Sequence, residues 1–391
     1  MVDFHDFPNE EYESRYVRTK QSLAEKNIDA LIVTTEVNYI YYTGHTATDW
    51  IPHWMWQSSK AYPFIFILPR DGDPIVVVHQ AEKTAAKNCS WISDVRIHRG
   101  YPFSISCVED VIMELGLTKG IIGWELGPET RLGIPQNEFD KLRTTFPETE
   151  FVDASNVILQ SRLIKSPEEI RRIRKANEIT MNALEHFYEA ARFGITEKEA
   201  ARLINQFMLD EGADRCQYYV TYQVTPELPP MFRSRPLGRV FAKSECVYLD
   251  FGASYKGYCA DINRMFTFSS ATKEMIETHE DLLYVEEQMI DSIKPGIEIS
   301  EVYQAYKSAL EKKGITGMDY GRAGHGVGIE VTEPPSLGSS DSTVLQEGMT
   351  ITVEPRIVES YGYFTVEDAV LVTSNGRELL TPGPRDLHVI S

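Results

Sequence analysis

The chain has 391 residues, beyond the length at which one hydrophobic core usually keeps growing, so two domains are expected. Its 42% hydrophobic and 25% charged content is that of an ordinary globular protein and argues against a disordered or fibrous class. A formal net charge of −19, with no basic cluster, argues against nucleic acid as a partner, because a phosphate backbone needs a basic face.

The N-terminal stretch MVDFHDFPNEEYESR is acidic and lacks the apolar core of a signal peptide. No apolar run approaches the ~18 residues that cross a bilayer. Cys89, Cys107, Cys216, Cys246 and Cys259 are odd in number, widely spaced and without a C-x-x-C, which fits reduced thiols in the cytoplasm.

In chain order, a polar stretch at 12–26 leads into the apolar run Ala30–Val33, which reads as a buried strand. Further strands are expected at 63–68, 75–78, 121–124 and 151–152. Strands alternating with helices imply an α/β domain with a mixed or parallel sheet. Near residue 164 the texture changes. Ser166-Pro167-Glu168-Glu169 forms a capping box with proline at the first helical position, and Ile170, Ile173, Ala176, Ala183, Leu184 and Phe187 follow at helical spacing. The expected domains are therefore 1–160 and 161–391.

The second domain carries a weak internal repeat. Gly194-Ile195-Thr196-Glu197 and Gly296-Ile297-Glu298-Ile299 each open an amphipathic helix. Each helix leads on to an apolar strand ending in a carboxylate, Asp250 after 247–249 and Glu354 after 349–353. Two helix-pair-plus-hairpin units related by pseudo-symmetry are expected.

Both strands continue through a turn to a second acid, Asp261 and Glu367, with Gly257 and Gly362 just past the midpoints. Residues equidistant from a hairpin turn are cross-strand neighbours, so Asp250 is expected to face Asp261 and Glu354 to face Glu367. Like charges so placed are destabilising unless a cation sits between them, and carboxylates suit hard divalent ions. The competing reading is four unrelated surface acids. His325, in Gly324-His325-Gly326-Val327-Gly328, lies between the two hairpins, where flanking glycines permit close backbone approach and imidazole is a common ligand.

The segments VYLDFGASYKGYCADINRMF, GRAGHGVGIEVTEPP and LQEGMTITVEPRIVESYGYFTVEDAVLVT resemble the pita-bread metalloenzyme family, which includes Xaa-Pro aminopeptidase, prolidase and creatinase. The resemblance implies an α/β creatinase-like N-terminal domain before an α+β pita-bread catalytic domain. It further implies that Asp250, Asp261, His325, Glu354 and Glu367 hold two divalent ions, with Asp261 and Glu367 bridging. Mn²⁺ is the first expectation, and Co²⁺, Fe²⁺ and Zn²⁺ suit the same ligands. Glu354 is also a catalytic candidate, and a homodimer is implied.

The chain departs from that pattern around the site. Thr332 stands where a second histidine is usual, followed by Glu333, and these two are further catalytic candidates. No histidine precedes the first aspartate, where Arg233 and Arg235 lie instead. Thr365 replaces an arginine, and Arg356 follows Glu354-Pro355 where glycine is common. Arg233, Arg235 and Arg356 are candidates for a substrate carboxylate, against a plainer reading as solvated or acid-paired arginines. His45, Trp50, Trp54 and Trp56 lie in an aromatic stretch suited either to caging a small cation or to an interface. The expected activity is a metal-dependent hydrolase of Xaa-Pro dipeptidase or aminopeptidase type. The alternative is C–N or C–S cleavage of a small zwitterion on the same scaffold. The partner is a dipeptide or other small molecule, with no membrane.

Overall fold

A computed structural model describes residues 7–45, 63–100, 102–128, 130–223, 236–316 and 321–391, with backbone alone for 217–223. The chain divides into two compact units, Met1–Arg162 and Leu163–Ser391.

The first unit is built on a six-stranded sheet in the order β4-β3-β2-β1-β5-β6. Its strands are β1 (Ala30–Val33), β2 (Ile65–Pro69), β3 (Ile75–His79), β4 (Asp94–His98), β5 (Ile121–Trp124) and β6 (Glu150–Asp153). The sheet is mixed: β2 runs antiparallel to both β1 and β3, while the β3–β4, β1–β5 and β5–β6 pairs are parallel. Helix α1 (Asn9–Glu25) precedes the first strand, α2 (Glu36–Thr43), α3 (Lys83–Cys89), α4 (Ser106–Glu114) and α5 (Gln136–Thr145) lie between strands, and α6 (Ser155–Leu163) follows the last. The β1 and β2 runs are buried throughout, as expected of strands covered on both faces. Ile32, Ile67, Val77, Phe139 and Trp124 join one core cluster.

In the second unit, α7 (Pro167–Ala190) starts from the expected capping box: Ser166 accepts from the Glu169 N–H, and the Glu169 carboxylate accepts from the Ser166 N–H. Helix α8 (Glu197–Asp210) follows, then β7 (Arg215–Gln223), β8 (Val247–Tyr255), β9 (Tyr258–Cys259) and β10 (Ile262–Phe268). The second half has helices α9 (Lys273–Ser292) and α10 (Ile299–Lys312), and strands β11 (Arg322–Gly326), β12 (Glu333–Gly338), β13 (Thr350–Val353), β14 (Arg356–Glu359), β15 (Gly362–Thr365), β16 (Asp368–Thr373) and β17 (Gly376–Leu379), closing with β18 (His388–Ile390). One sheet is ordered β18-β10-β8-β7, the other β12-β11-β13-β16-β17.

The internal repeat is visible in this topology. Each sheet is preceded by a helix pair, and the loop before each second helix bridges to a later residue in the same way, Thr196 to Val240 and Glu298 to Val344. The succession β7, β8, β10 in one half corresponds to β11, β13, β16 in the other.

Candidate metal centre

Four acids come from equivalent places in the two halves, and one histidine, His325, is added from β11. Asp250 lies within β8, and Asp261 immediately precedes β10. The expected pairing of Asp250 with Asp261 is corrected by the register: Asp250 faces Asn263, and Ile262 faces Phe251. The cause is the turn. Lys256 and Gly257 both take positive φ, 48° and 79°, so the hairpin closes on these two residues and its centre falls one residue later than the acids' midpoint. In this register Asp261 sits diagonal to Asp250 rather than opposite it.

The second hairpin follows the expected register. Val353 faces Asp368 and Arg356 faces Thr365, and continuing that pairing sets Glu354 against Glu367. The Glu367 N–H donates to the Asn263 carbonyl (3.2 Å), which joins the two sheets at the site.

Asp261, His325 and Glu367 each offer a ligand atom within 4.8 Å of the others, and all three are buried. His325 Nε2 is 3.3 Å from Asp261 Oδ2 and 3.7 Å from Glu367 Oε1. His325 Nδ1 lies 3.0 Å from the Gly326 carbonyl, which can only accept, so the proton is on Nδ1 and the Nε2 lone pair faces the carboxylates. Glu367 Oε1 has no hydrogen-bond partner. The Nε2 lone pair of His325 thus meets two buried carboxylates, a donor set that suits a divalent cation.

The electrostatics agree. Burial and the charge of Glu354 push the Asp261 carboxyl well above its usual range, and burial with Asp261, Glu354 and Asp250 does the same to Glu367. Burial pulls the His325 imidazole below its usual range, against the pull of the Glu354 charge. Glu354 moves the other way: burial would raise it, but the Arg356 guanidinium, His325 and hydrogen bonds from Arg356 and Asn263 outweigh that and hold it below the usual carboxylate range.

The glycines beside His325 serve close approach of backbone to backbone. A Cβ at 326 would lie 2.7 Å from the Glu333 carbonyl oxygen and closer still to that of Pro334, and one at 324 would crowd the Thr352 carbonyl.

The remaining candidates fall in different places. Arg356 is at the site, with its Nη2 donating to Glu354 Oε2 and Nη1 to the Arg322 carbonyl (3.3 Å). Glu333 is buried at the start of β12, where Lys165 Nζ lies 4.0 Å from its Oε1, while Thr332 is exposed on the preceding loop. His45 is buried in the first unit against Phe64, its Nδ1 3.0 Å from the Tyr39 hydroxyl. Arg233, Arg235, Trp50, Trp54 and Trp56 lie outside the described residues.

Sequence reasoning missed Asn263, whose Nδ2 donates to Glu354 Oε1 (3.0 Å), and Lys165. Asn263 stands two residues after Asp261, a spacing that puts it on the same face of a strand, and that periodicity was the available signal. Nothing local marks Lys165.

Fold and site together define a two-domain protein with a creatinase-type N-terminal unit and a metallopeptidase-type C-terminal unit. The chain belongs to metallopeptidase family M24, whose profile matches residues 171–374, more than half of its length. The creatinase/prolidase N-terminal domain matches residues 15–164. It is 28% identical over 378 residues to YkvY of Bacillus subtilis, which carries a provisional dipeptidase name, covering 96% of this chain and 100% of that one. It is 30% identical over 268 residues to the uncharacterized peptidase YqhT of the same organism, covering 66% of this chain and 75% of the relative. Among solved structures, the prolidase from Pyrococcus horikoshii superposes with a TM-score of 0.80 at 26% identity, covering 96% of this chain and 99% of that one. Among the described residues no helix is long and apolar enough to cross a membrane.

Proposed function

We propose that this protein is a metal-dependent hydrolase of Xaa-Pro dipeptides. The observation that carries the reading is the convergence of the His325 Nε2 lone pair with the carboxylate oxygens of Asp261 and Glu367, on a scaffold similar to a prolidase. Asp250, Asp261, His325, Glu354 and Glu367 are the proposed ligands of two divalent ions, Mn²⁺ first. When bound, such ions supply Lewis-acid polarisation of the scissile carbonyl and a water acidified to near neutral pH.

The chain's own residues do the rest. Glu354 is ionised and held by Arg356 and Asn263, which makes it the acceptor for the nucleophile's proton and its carrier to the leaving nitrogen. Arg356 supplies the charge for a substrate carboxylate. Its Cα faces Thr365, so a guanidinium enters the site from β14 rather than from the strand opposite. The five free cysteines support a cytoplasmic setting, and the family resemblance supports a homodimer.

The test is a substrate panel on protein loaded in turn with Mn²⁺, Co²⁺, Fe²⁺ and Zn²⁺. Xaa-Pro dipeptides are expected to turn over, with loss on chelation and recovery on re-addition. Arg356→Met, which also removes the partner of Glu354 and so slows both substrates, is expected to raise KM about 10- to 100-fold more for the free-acid dipeptide than for its C-terminal amide, the worth of a charge-assisted hydrogen bond. Creatine, ectoine and dimethylsulfoniopropionate complete the panel. Turnover of one of these with none of the dipeptides would sink the proposal.

A further inference from the structure

The candidate ligands are divided between two sheets: Asp250 and Asp261 come from the β8–β10 hairpin, while His325, Glu354 and Glu367 belong to the β11–β13–β16 half. Cation binding therefore needs the two sheets held at a fixed separation and register. Among the described residues they are joined by the isolated bridge of Asn263 with Glu367, and the Cys259 N–H of β9 donates to the Gly328 carbonyl just after β11 (2.8 Å).

Arg264 lies directly behind that bridge, with its side chain only 2% exposed. Its guanidinium binds four acceptors. Nη1 donates to the Asn263 carbonyl (2.8 Å) and to the Glu367 carbonyl (2.9 Å), Nη2 donates to Asp368 Oδ1 (2.6 Å), and Nε donates to the Pro384 carbonyl (3.1 Å). The first two carbonyls belong to opposite sheets, and to the residues whose side chains hold Glu354 and offer the bare Oε1.

The rest of the arrangement keeps Arg264 in place. Arg385 Nη1 donates to Glu286 Oε2 (2.8 Å), and Arg385 Nε lies 3.8 Å from Asp368 Oδ2. His279 Nε2 donates to the Arg385 carbonyl (2.7 Å), and β18 pairs alongside β10 from Phe266 to Phe268. The C-terminal segment is thereby fastened to the back of the site.

We propose that Arg264 is a positioning residue that sets the spacing between the two halves of the metal centre by clamping the Asn263 and Glu367 carbonyls with one nitrogen. This rests on the metal-centre reading above. The chemistry is specific to a guanidinium, whose planar fork presents donors in fixed divergent directions. An ammonium at the same place keeps the charge opposite Asp368 and loses the fork.

The test compares wild type, Arg264→Lys and Arg264→Met by calorimetric titration of metal-free protein with Co²⁺ and by the visible absorption of the Co²⁺ forms. Arg264→Lys is expected to weaken Co²⁺ binding about 10- to 100-fold, as loss of a group supporting the ligands does elsewhere, and to change the Co²⁺ spectrum. Its circular dichroism stays that of wild type. Wild-type protein that takes up no stoichiometric Co²⁺ sinks the metal centre itself. Wild type that binds while Arg264→Lys binds as tightly with the same spectrum overturns the clamp alone. Should both variants be unfolded before metal is added, Arg264 is a folding determinant only and the clamp is likewise overturned.

Discussion

Gly326→Ala probes the backbone packing that presents His325. Gly326 faces Glu333 on β12 and Ile351 on β13, so an added methyl has no open side to turn to. It would lie 2.7 Å from the Glu333 carbonyl oxygen and 2.7 Å from the Pro334 carbonyl carbon, and main chain cannot swing away as a side chain can. Overpacking costs about 1–3 kcal/mol, and a clash with two carbonyl groups belongs near the upper end. For a unit of this size that is a fall of about 6–12 °C in Tm. Relief requires β11 and β12 to part, which moves the neighbouring imidazole, and Co²⁺ affinity is expected to drop more than about tenfold. Calorimetric melting in chelator and Co²⁺ titration are the assays. Gly376→Ala is the control: a Cβ there meets nothing within 4 Å, so a change within about 0.5 kcal/mol is expected. A Gly326→Ala protein that melts with wild type and binds Co²⁺ as tightly would show that close β11–β12 packing does not place His325.

Metal and pH are linked through the buried acids. Folding raises the Asp261 and Glu367 carboxyls, so the folded metal-free protein holds protons that the unfolded chain releases. These groups therefore destabilise increasingly as pH rises above the ordinary carboxyl range, and a bound cation offsets the loss. At neutral pH, Mn²⁺ at a hundredfold its Kd is expected to add about 2.7 kcal/mol. Glu367→Gln is expected to stabilise the metal-free form and abolish the Mn²⁺ gain; unchanged melting with and without metal in wild type would contradict this. The first unit has its own acid sensitivity. Burial pushes the His98 imidazole down to about 4, so its neutral form is favoured on folding. The contribution is fully present above ~6.5 and is lost as pH falls toward 4, up to about 3 kcal/mol. All five tryptophans lie in Met1–Arg162, so fluorescence-detected urea unfolding reports that unit. His98→Phe, which keeps the packing against Phe103, is expected to flatten the slope between pH 6.5 and 4; an unchanged slope refutes the assignment.

Local chemistry alone made much of this protein legible. Period, turn residues and capping located five of the six described strands of the first unit (β4, Asp94–His98, was missed), the Ser166–Glu169 cap and both acid-bearing hairpins, because these depend on neighbours a few residues apart. The Glu354–Glu367 register was readable because its acids are centred on the turn that forms. The Asp250–Asp261 register was not, because Lys256 and Gly257 selected a turn displaced by one residue, a choice made by backbone φ rather than by acid spacing.

Only the tertiary structure decided which groups meet. Asp261, His325 and Glu367 converge from segments far apart in the chain, Arg356 reaches Glu354 rather than solvent, and Lys165 lies beside Glu333. The Asn263–Glu367 bridge and the Arg264 guanidinium behind it exist only where two sheets touch. A sequence sets the period of each strand through covalent geometry. The distance between strands comes from packing and shared hydrogen bonds, which no local pattern records.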